Sequence, residues 1–166
     1  ASGSSLSAPI QGADKSGVLQ FKNLAGAKAL RRLATNNQQA TAVILGGGFI
    51  GVEIALYLAK LGVRSTLLNR RGWIMPRLLD PDTAEYVWED LSKQGVDVRL
   101  NTEGIELGGQ NKVDYLLTNS GEKLRADAYI AATGVKPNIG FVQGTHIEVD
   151  EGVLVDNCLQ TSRPGI

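Results

Sequence analysis

The chain has 166 residues, 43% of them hydrophobic and 20% charged, the balance of one folded globular domain rather than a disordered chain. Its 17 Lys and Arg offset 17 Asp and Glu, so no net charge draws it to nucleic acid or to an anionic membrane. The only cysteine, Cys158, and the only histidine, His146, exclude an intrachain disulfide, a C-x-x-C motif and any thiolate-rich or two-histidine metal site.

No apolar stretch approaches the ~20 residues of a membrane span, and the opening Ala-Ser-Gly-Ser-Ser lacks a basic-then-apolar signal pattern. With a lone thiol and no export signal, a cytoplasmic setting is expected. Residues 1–17 are rich in Ser, Gly, Ala and Pro and read as a connecting segment. A helix follows, with Asn23 as its N-cap and Leu24, Ala27, Leu30 and Leu33 on one face. The polar run Thr35-Asn36-Asn37-Gln38-Gln39 ends it.

Thr41 to Leu45 is a short apolar run of the kind that a parallel sheet buries on both faces. It stops at three consecutive glycines. From Phe49 to Leu61 the period turns helical, with Ile50, Ile54, Leu58 and Leu61 in register; Gly62 closes the helix, and Val63 to Leu68 is extended again. Strand, glycine turn, helix and strand make a βαβ unit. Asp80, Pro81 and Asp82 punctuate the next helix, whose buried face is Ala84, Val87, Trp88 and Leu91; Gly95 ends it before a third strand, Val96 to Leu100.

Helical periodicity then disappears. Glu103 to Leu107, Lys112 to Thr118 and Glu122 to Arg125 are short extended runs divided by Gly108-Gly109 and Asn119-Ser120-Gly121, which predicts a three-stranded antiparallel meander. Asp127 to Ala132 is a further buried strand ending at Thr133-Gly134. The remainder reads as loops and short strands such as Gly152 to Val155, with His146 facing solvent.

The central signal is Gly46-Gly47-Gly48-Phe49-Ile50-Gly51, a G-x-G-x-x-G between a strand and a helix. In that context Gly46 allows the tight turn, Gly48 lets backbone approach a pyrophosphate, and Gly51 lets helix and strand pack closely. The helix N-terminus then favours the phosphate charge. The bland reading is a glycine-rich turn.

At the end of the second strand, where an acid would hold the ribose 2′-hydroxyl of NAD, stand Asn69, Arg70 and Arg71. Arginines there suit the 2′-phosphate of NADP, which favours NADPH over NADH; the alternative is a solvated surface corner. Glu53 lies two residues beyond the last glycine, in the first turn of the helix, where an acid can simply complement the dipole. Trp73 and Trp88 read as loop-packing and core residues. The cluster Arg70, Arg71 and Arg77 lacks the interleaved aromatics of a nucleic-acid patch, and Cys158 has no neighbour that would activate its thiol. No nucleophile–base pair or carboxylate pair stands out, so the reaction partner is expected to lie outside this chain.

With these residues in place, the sequence resembles the FAD-dependent pyridine nucleotide-disulfide oxidoreductase family. Thr41 to Glu53 is similar to its nucleotide-binding strand–turn–helix, final glutamate included. Ala132-Thr133-Gly134 with Pro137-Asn138 is similar to the family's A-T-G-x-x-P-N segment. Ala1-Ser2-Gly3-Ser4 with Pro9 and Gly12 resembles the A-T-G-S…P-x-x-G segment leading in from the FAD domain, with Ser2 in place of threonine. Thr161-Ser162 with Pro164-Gly165-Ile166 resembles the stretch before the family's second flavin-contacting motif.

The resemblance implies hydride transfer from NAD(P)H to FAD and onward electron flow, with Glu53 near the nicotinamide and flavin. The expected fold is α/β: a Rossmann-like parallel sheet with a βαβ dinucleotide-binding unit and an inserted three-stranded antiparallel β-meander. Residues 1–22 would be a linker from the FAD domain, 23–134 the NAD(P)H-binding domain and 135–166 the return segment. The candidate cofactor-binding residues are Gly46, Gly47, Gly48, Phe49, Ile50, Gly51, Glu53, Asn69, Arg70, Arg71, Thr133 and Gly134, with no metal.

The expected ligand of this piece is NADPH or NADH, and FAD belongs to the full-length parent. The missing FAD domain would be its partner, nucleic acid and membrane would not, and the electron acceptor would be met by residues elsewhere. The piece is expected to be monomeric and incomplete as a catalyst, the parent dimeric. Two rivals stand beside this reading: a free-standing dinucleotide-sensing module, and a methyltransferase with a similar glycine loop, which the meander and the A-T-G-x-x-P-N segment oppose.

Overall fold

The computed structural model describes residues 3–5 by their backbone, and residues 10–21, 23–37 and 39–166 in full. Ala1, Ser2 and Pro9 of the lead-in segment and Gln38 of the polar run lie outside the described residues. The chain divides into two compact units, Ser5–Gly134, and Val135–Ile166 with Ala1–Ser4.

In the smaller unit β1 (Gly3–Ser5) pairs with β10 (Val135–Pro137), and a single 3₁₀ turn covers Gly140–Val142. The short strand expected at Gly152 to Val155 is not formed. Val153 and Val155 make only isolated bridges, to Val149 and Thr161, because no continuous neighbouring strand runs beside them. His146 is exposed there, as expected.

The larger unit runs β2 (Val18–Gln20), α1 (Leu24–Asn36), β3 (Thr41–Leu45), α2 (Phe49–Lys60), β4 (Arg64–Leu68), α3 (Pro81–Lys93), β5 (Asp97–Arg99), β6 (Gly104–Gly108), β7 (Tyr115–Thr118), β8 (Lys123–Leu124) and β9 (Ala128–Ala131). Strands β2-β9-β3-β4-β5 form one sheet in which every pairing is parallel. Strands β6-β7-β8 form the separate antiparallel meander. The edge strand β2 lies just after the connecting segment, where three residues without alternation carry no strand signal.

Side-chain alternation along the strands separates two apolar layers. Ala42 and Ile44 of β3, Leu67 of β4 and Ile130 of β9 pack against the helices, with Leu30, Ile54, Leu58 and Leu91. Val43 and Leu45, Leu68 and Tyr129 point the other way, into the meander's Leu107, Val113, Leu116 and Leu124. A helix layer thus covers one face and the meander the other. That is why these strands are apolar at consecutive positions rather than alternately. Each fully buried leucine or isoleucine contributes roughly 1.5–3 kcal/mol.

Local signals set the helix ends. The Asn23 side chain accepts from the Gly26 N–H at 3.0 Å, and Asp80 caps α3 by accepting from the Thr83 N–H at 2.9 Å. The Thr83 N–H, with the Thr83 hydroxyl donating to the same carboxylate at 3.0 Å, holds the Asp80 carboxyl below its ordinary range. Both α2 and α3 stop at a left-handed glycine, Gly62 (φ +77°) and Gly95 (φ +84°). The next N–H in each case, from Val63 and Val96, reaches back 3.0 Å to Leu58 O and Leu91 O.

Three sequence expectations are corrected. Leu24 is 68% exposed and joins neither apolar cluster, since α1 becomes buried only nearly two turns later, at Leu30 and Ala34. Trp88 is 38% exposed, because the inward stripe of α3 centres on Ala84 and Leu91 and the indole sits at its edge. Glu53 is not in the first turn of α2: Gly48 is the N-cap, no acid occupies that turn, and the dipole has little hold on a residue farther along.

At the amino ends of the strands, Asp127 accepts from the Thr41 N–H at 2.8 Å and the Thr41 hydroxyl at 2.9 Å, tying β3 to β9. Those two bonds hold its carboxyl below the usual aspartate range. A lowered folded-state pKa adds stability above the unfolded value, ~3.9, and that stability is lost as pH falls through the lowered value. Asp127→Ala is therefore expected to cost about 1 kcal/mol at pH 7, a modest figure because the pair is exposed. Urea unfolding should show less difference between variant and parent at pH 2 than at pH 7.

Candidate functional site

In an open parallel sheet, ligands gather at the carboxyl ends of the strands where the strand order reverses. Here the reversal lies between β3, from which the chain moves outward to β4 and β5, and β9 on its other side. The turn after β3 is Gly46-Gly47-Gly48, and the segment after β9 is Ala132-Thr133-Gly134. The structure brings the two together: Ala132 N–H donates to Leu45 O at 2.9 Å, and a Cβ on Gly46 would collide with the Ala132 carbonyl oxygen. Gly46 also sits at φ +113°, where an L side chain is strained.

The four glycines have different reasons to be glycine. Gly51 faces back across the turn, and a Cβ there would strike the Gly46 carbonyl oxygen. Gly47 is buried over Asn69, whose Cβ would lie 2.8 Å from an added Cβ. At Gly48 an added Cβ meets nothing within 4 Å, and the residue is extended (φ −82°, ψ −176°), a conformation open to any residue. Protein contacts explain the absence of side chains at 46, 47 and 51. They do not explain it at 48.

Gly48 is the N-cap of α2 and offers no side-chain cap. The first helical bond runs from the Val52 N–H to Gly48 O at 3.0 Å. The N–H groups of Phe49, Ile50 and Gly51 therefore have no acceptor among the described residues, which makes the turn an anion-seeking end. Phe49 is 53% exposed beside it, while Ile50 turns inward onto the helix-side core. Glu53 is exposed on α2 beyond the turn.

The second wall is the loop after β4. Asn69 is buried, and Arg70 and Arg71 are exposed; neither arginine makes a side-chain hydrogen bond or ion pair among the described residues. The Met75 N–H donates to Gly47 O at 2.7 Å, with Met75 in the left-handed region at φ +52°. That tie joins the arginine loop to the glycine turn. No pattern in the sequence marks Met75 or Gly47 for these roles, since both act through a partner more than twenty residues away. Thr133 and Gly134 (φ +128°) are exposed at the third side.

A shallow hollow lined by Leu19, Arg32, Asn37, Lys112 and Asp127 lies at the opposite, amino end of the sheet. It holds none of the candidate residues. Among the described residues no three His, Cys, Asp or Glu side chains converge to hold a metal, and no helix is long and apolar enough to cross a membrane.

Comparison with known proteins shows the family of the chain. A family model described as pyridine nucleotide-disulphide oxidoreductase matches residues 1–166. The assimilatory nitrate reductase electron transfer subunit of Bacillus subtilis (strain 168) is 34% identical over 158 residues, covering 95% of this chain and 20% of that protein. The rubredoxin-NAD(+) reductase of Pseudomonas putida is 34% identical over 157 residues, covering 94% of this chain and 40% of its own length. A solved FAD-dependent pyridine nucleotide-disulphide oxidoreductase from Desulfovibrio vulgaris superposes with a TM-score of 0.79 at 33% identity, covering 94% of this chain and 40% of that one. The chain thus spans between 20% and 40% of the length of these relatives.

Proposed function

Because the chain belongs to the pyridine nucleotide-disulphide oxidoreductase family, we propose that residues 18–134, with β2 as the edge of the sheet, are the NAD(P)H-binding domain of an FAD-dependent oxidoreductase. Residues 1–17 and 135–166 then lead from and return to the flavin-binding part of the same polypeptide. The reading rests on Gly48, a glycine that the protein's own packing does not require, set at the bare start of α2. A dinucleotide pyrophosphate explains it, since only a ligand approaching the backbone there needs the missing side chain.

In this reading the free N–H groups of Phe49 and Ile50 take the pyrophosphate, with the Gly46–Gly48 turn bent out of its way. Arg70 and Arg71 face the adenine ribose from the second wall. Thr133 and Gly134 border the route from the glycine turn toward the nicotinamide, and Glu53 helps to place that ring. The bound nicotinamide supplies a hydride, for which the parent's flavin is the acceptor. The chain's own residues hold and orient the nucleotide.

Two arginines without acidic partners favour a nucleotide that carries a 2′-phosphate, so NADPH is the preferred ligand. A charge-assisted hydrogen bond at an exposed site contributes about 1.5 kcal/mol, or roughly tenfold in affinity. Calorimetric titration is expected to show tighter binding of NADPH than of NADH, with Arg70→Ala losing about tenfold for NADPH and little for NADH. Equal affinities that the substitution leaves unchanged would remove the NADPH preference. Binding of neither nucleotide would remove the whole reading.

A further inference from the structure

The carboxamide of Asn69 occupies the corner between the glycine turn and the arginine loop. The residue is only 6% exposed. Its Nδ2 donates to Arg71 O at 3.1 Å and to Trp73 O at 2.6 Å, which uses both amide hydrogens. With two carbonyl oxygens in front of it, the amide end must be the one that faces them. The residue's backbone is held as well, its N–H on Arg99 O at 2.9 Å and its carbonyl under the Thr102 N–H at 3.0 Å. Gly47 supplies the room: an added Cβ there would lie 2.9 Å from the Asn69 Cγ.

We infer that Asn69 is a positioning residue, whose buried amide clamps the loop at Arg71 and Trp73 and so sets where Arg70 and Arg71 meet the nucleotide. This rests on the nucleotide reading above and adds to it. Further ties fix the same loop, from Met75 N–H to Gly47 O at 2.7 Å and from Asn101 N–H to Arg71 O at 3.2 Å. Between them the two guanidinium groups are left free. Asn69 accepts no hydrogen bond among the described residues through Oδ1, so the amide donors carry its fixed contacts.

The clamp changes what an acid would do here. In the usual logic of this fold a carboxylate at the end of the second strand binds the ribose diol and selects NADH. At this buried position a carboxylate cannot donate, and it would set negative oxygens against the two carbonyl oxygens that Nδ2 now holds. The loop would release and the arginines would lose their placement. An acid here therefore does not simply exchange one nucleotide for the other.

The test is titration of the 166-residue chain and its variants with NADPH and with NADH, each variant first checked for a cooperative thermal unfolding transition. Asn69→Asp is expected to weaken NADPH by about tenfold and to leave NADH no tighter than before. In the Asn69→Asp background, Arg70→Ala is expected to cost NADPH little more, because two residues acting through one contact are not additive. Asn69→Ser, neutral and too short to reach both carbonyls, is expected to lose NADPH affinity too, and it serves if the aspartate variant does not fold.

A gain in NADH affinity with Asn69→Asp overturns the inference and leaves the nucleotide reading standing. So does full additivity with Arg70→Ala, or full NADPH affinity in Asn69→Ser. Failure of the unaltered chain to bind either nucleotide overturns both.

Discussion

Gly48→Thr is expected to leave the chain folded while lowering its affinity for NADPH and NADH by about a hundredfold or more. The two halves of that expectation come from different observations. Gly48 is extended, at φ −82° and ψ −176°, so threonine meets no backbone strain. Threonine and glycine are comparable as N-caps, and an added Cβ has no protein neighbour within 4 Å. Folding stability should therefore change by no more than about 0.5 kcal/mol.

The new side chain would stand in front of the unpaired N–H groups of Phe49, Ile50 and Gly51. A phosphate held away from them loses charge-assisted hydrogen bonds of about 1.5–3 kcal/mol each, and two such losses give the hundredfold figure. Urea unfolding checks the first half and calorimetric titration the second. A variant that folds normally and binds as before would show that the open space at residue 48 is not where the nucleotide sits.

Gly51→Ala is expected to do the opposite, damaging the fold itself. Its Cβ would fall on the Gly46 carbonyl oxygen, and Gly46 has nowhere to retreat. The Gly46 N–H is tied to Leu68 O at 3.0 Å, and its own Cα faces the Ala132 carbonyl at φ +113°. Relief requires α2 to move off β3, opening the layer where Val52, Ile54 and Ala55 pack. A loss of about 3 kcal/mol is expected, the upper range for overpacking a tight site. For a chain of this size that is on the order of a 10 °C fall in the thermal midpoint. A fall of only a degree or two would mean that the turn relaxes freely and that close helix–strand contact does not explain this glycine.

Much of the fold is legible in the sequence. Asn23, Asp80 with Pro81, Gly62 and Gly95 act within a few residues of themselves, so their helix ends can be read from neighbours alone. The apolar runs 41–45 and 128–131 reveal burial on both faces, and the loss of helical period after residue 100 reveals the meander. Leu24 and Trp88 are exposed although they lie on the apolar sides of their helices, because periodicity shows which side is apolar, but not where along its length the sheet begins or how wide the covered stripe is. Strand β2 was missed for a related reason: three residues with no alternation become a strand only because β9 offers a free edge.

For the candidate site, the sequence by itself determined that a glycine turn stands between a buried strand and a helix, and that two arginines follow the next strand. Only the tertiary structure decided what each of those residues is for. It separated Gly48, which nothing in the protein needs, from Gly46, Gly47 and Gly51, which neighbouring atoms require. It also turned Asn69 from a missing acid into a buried donor. The physical reason is range. Caps and periods are encoded within one turn or one strand, whereas the contacts of Gly46 with Ala132, Gly47 with Asn69 and Met75 with Gly47 join segments that chain spacing does not relate.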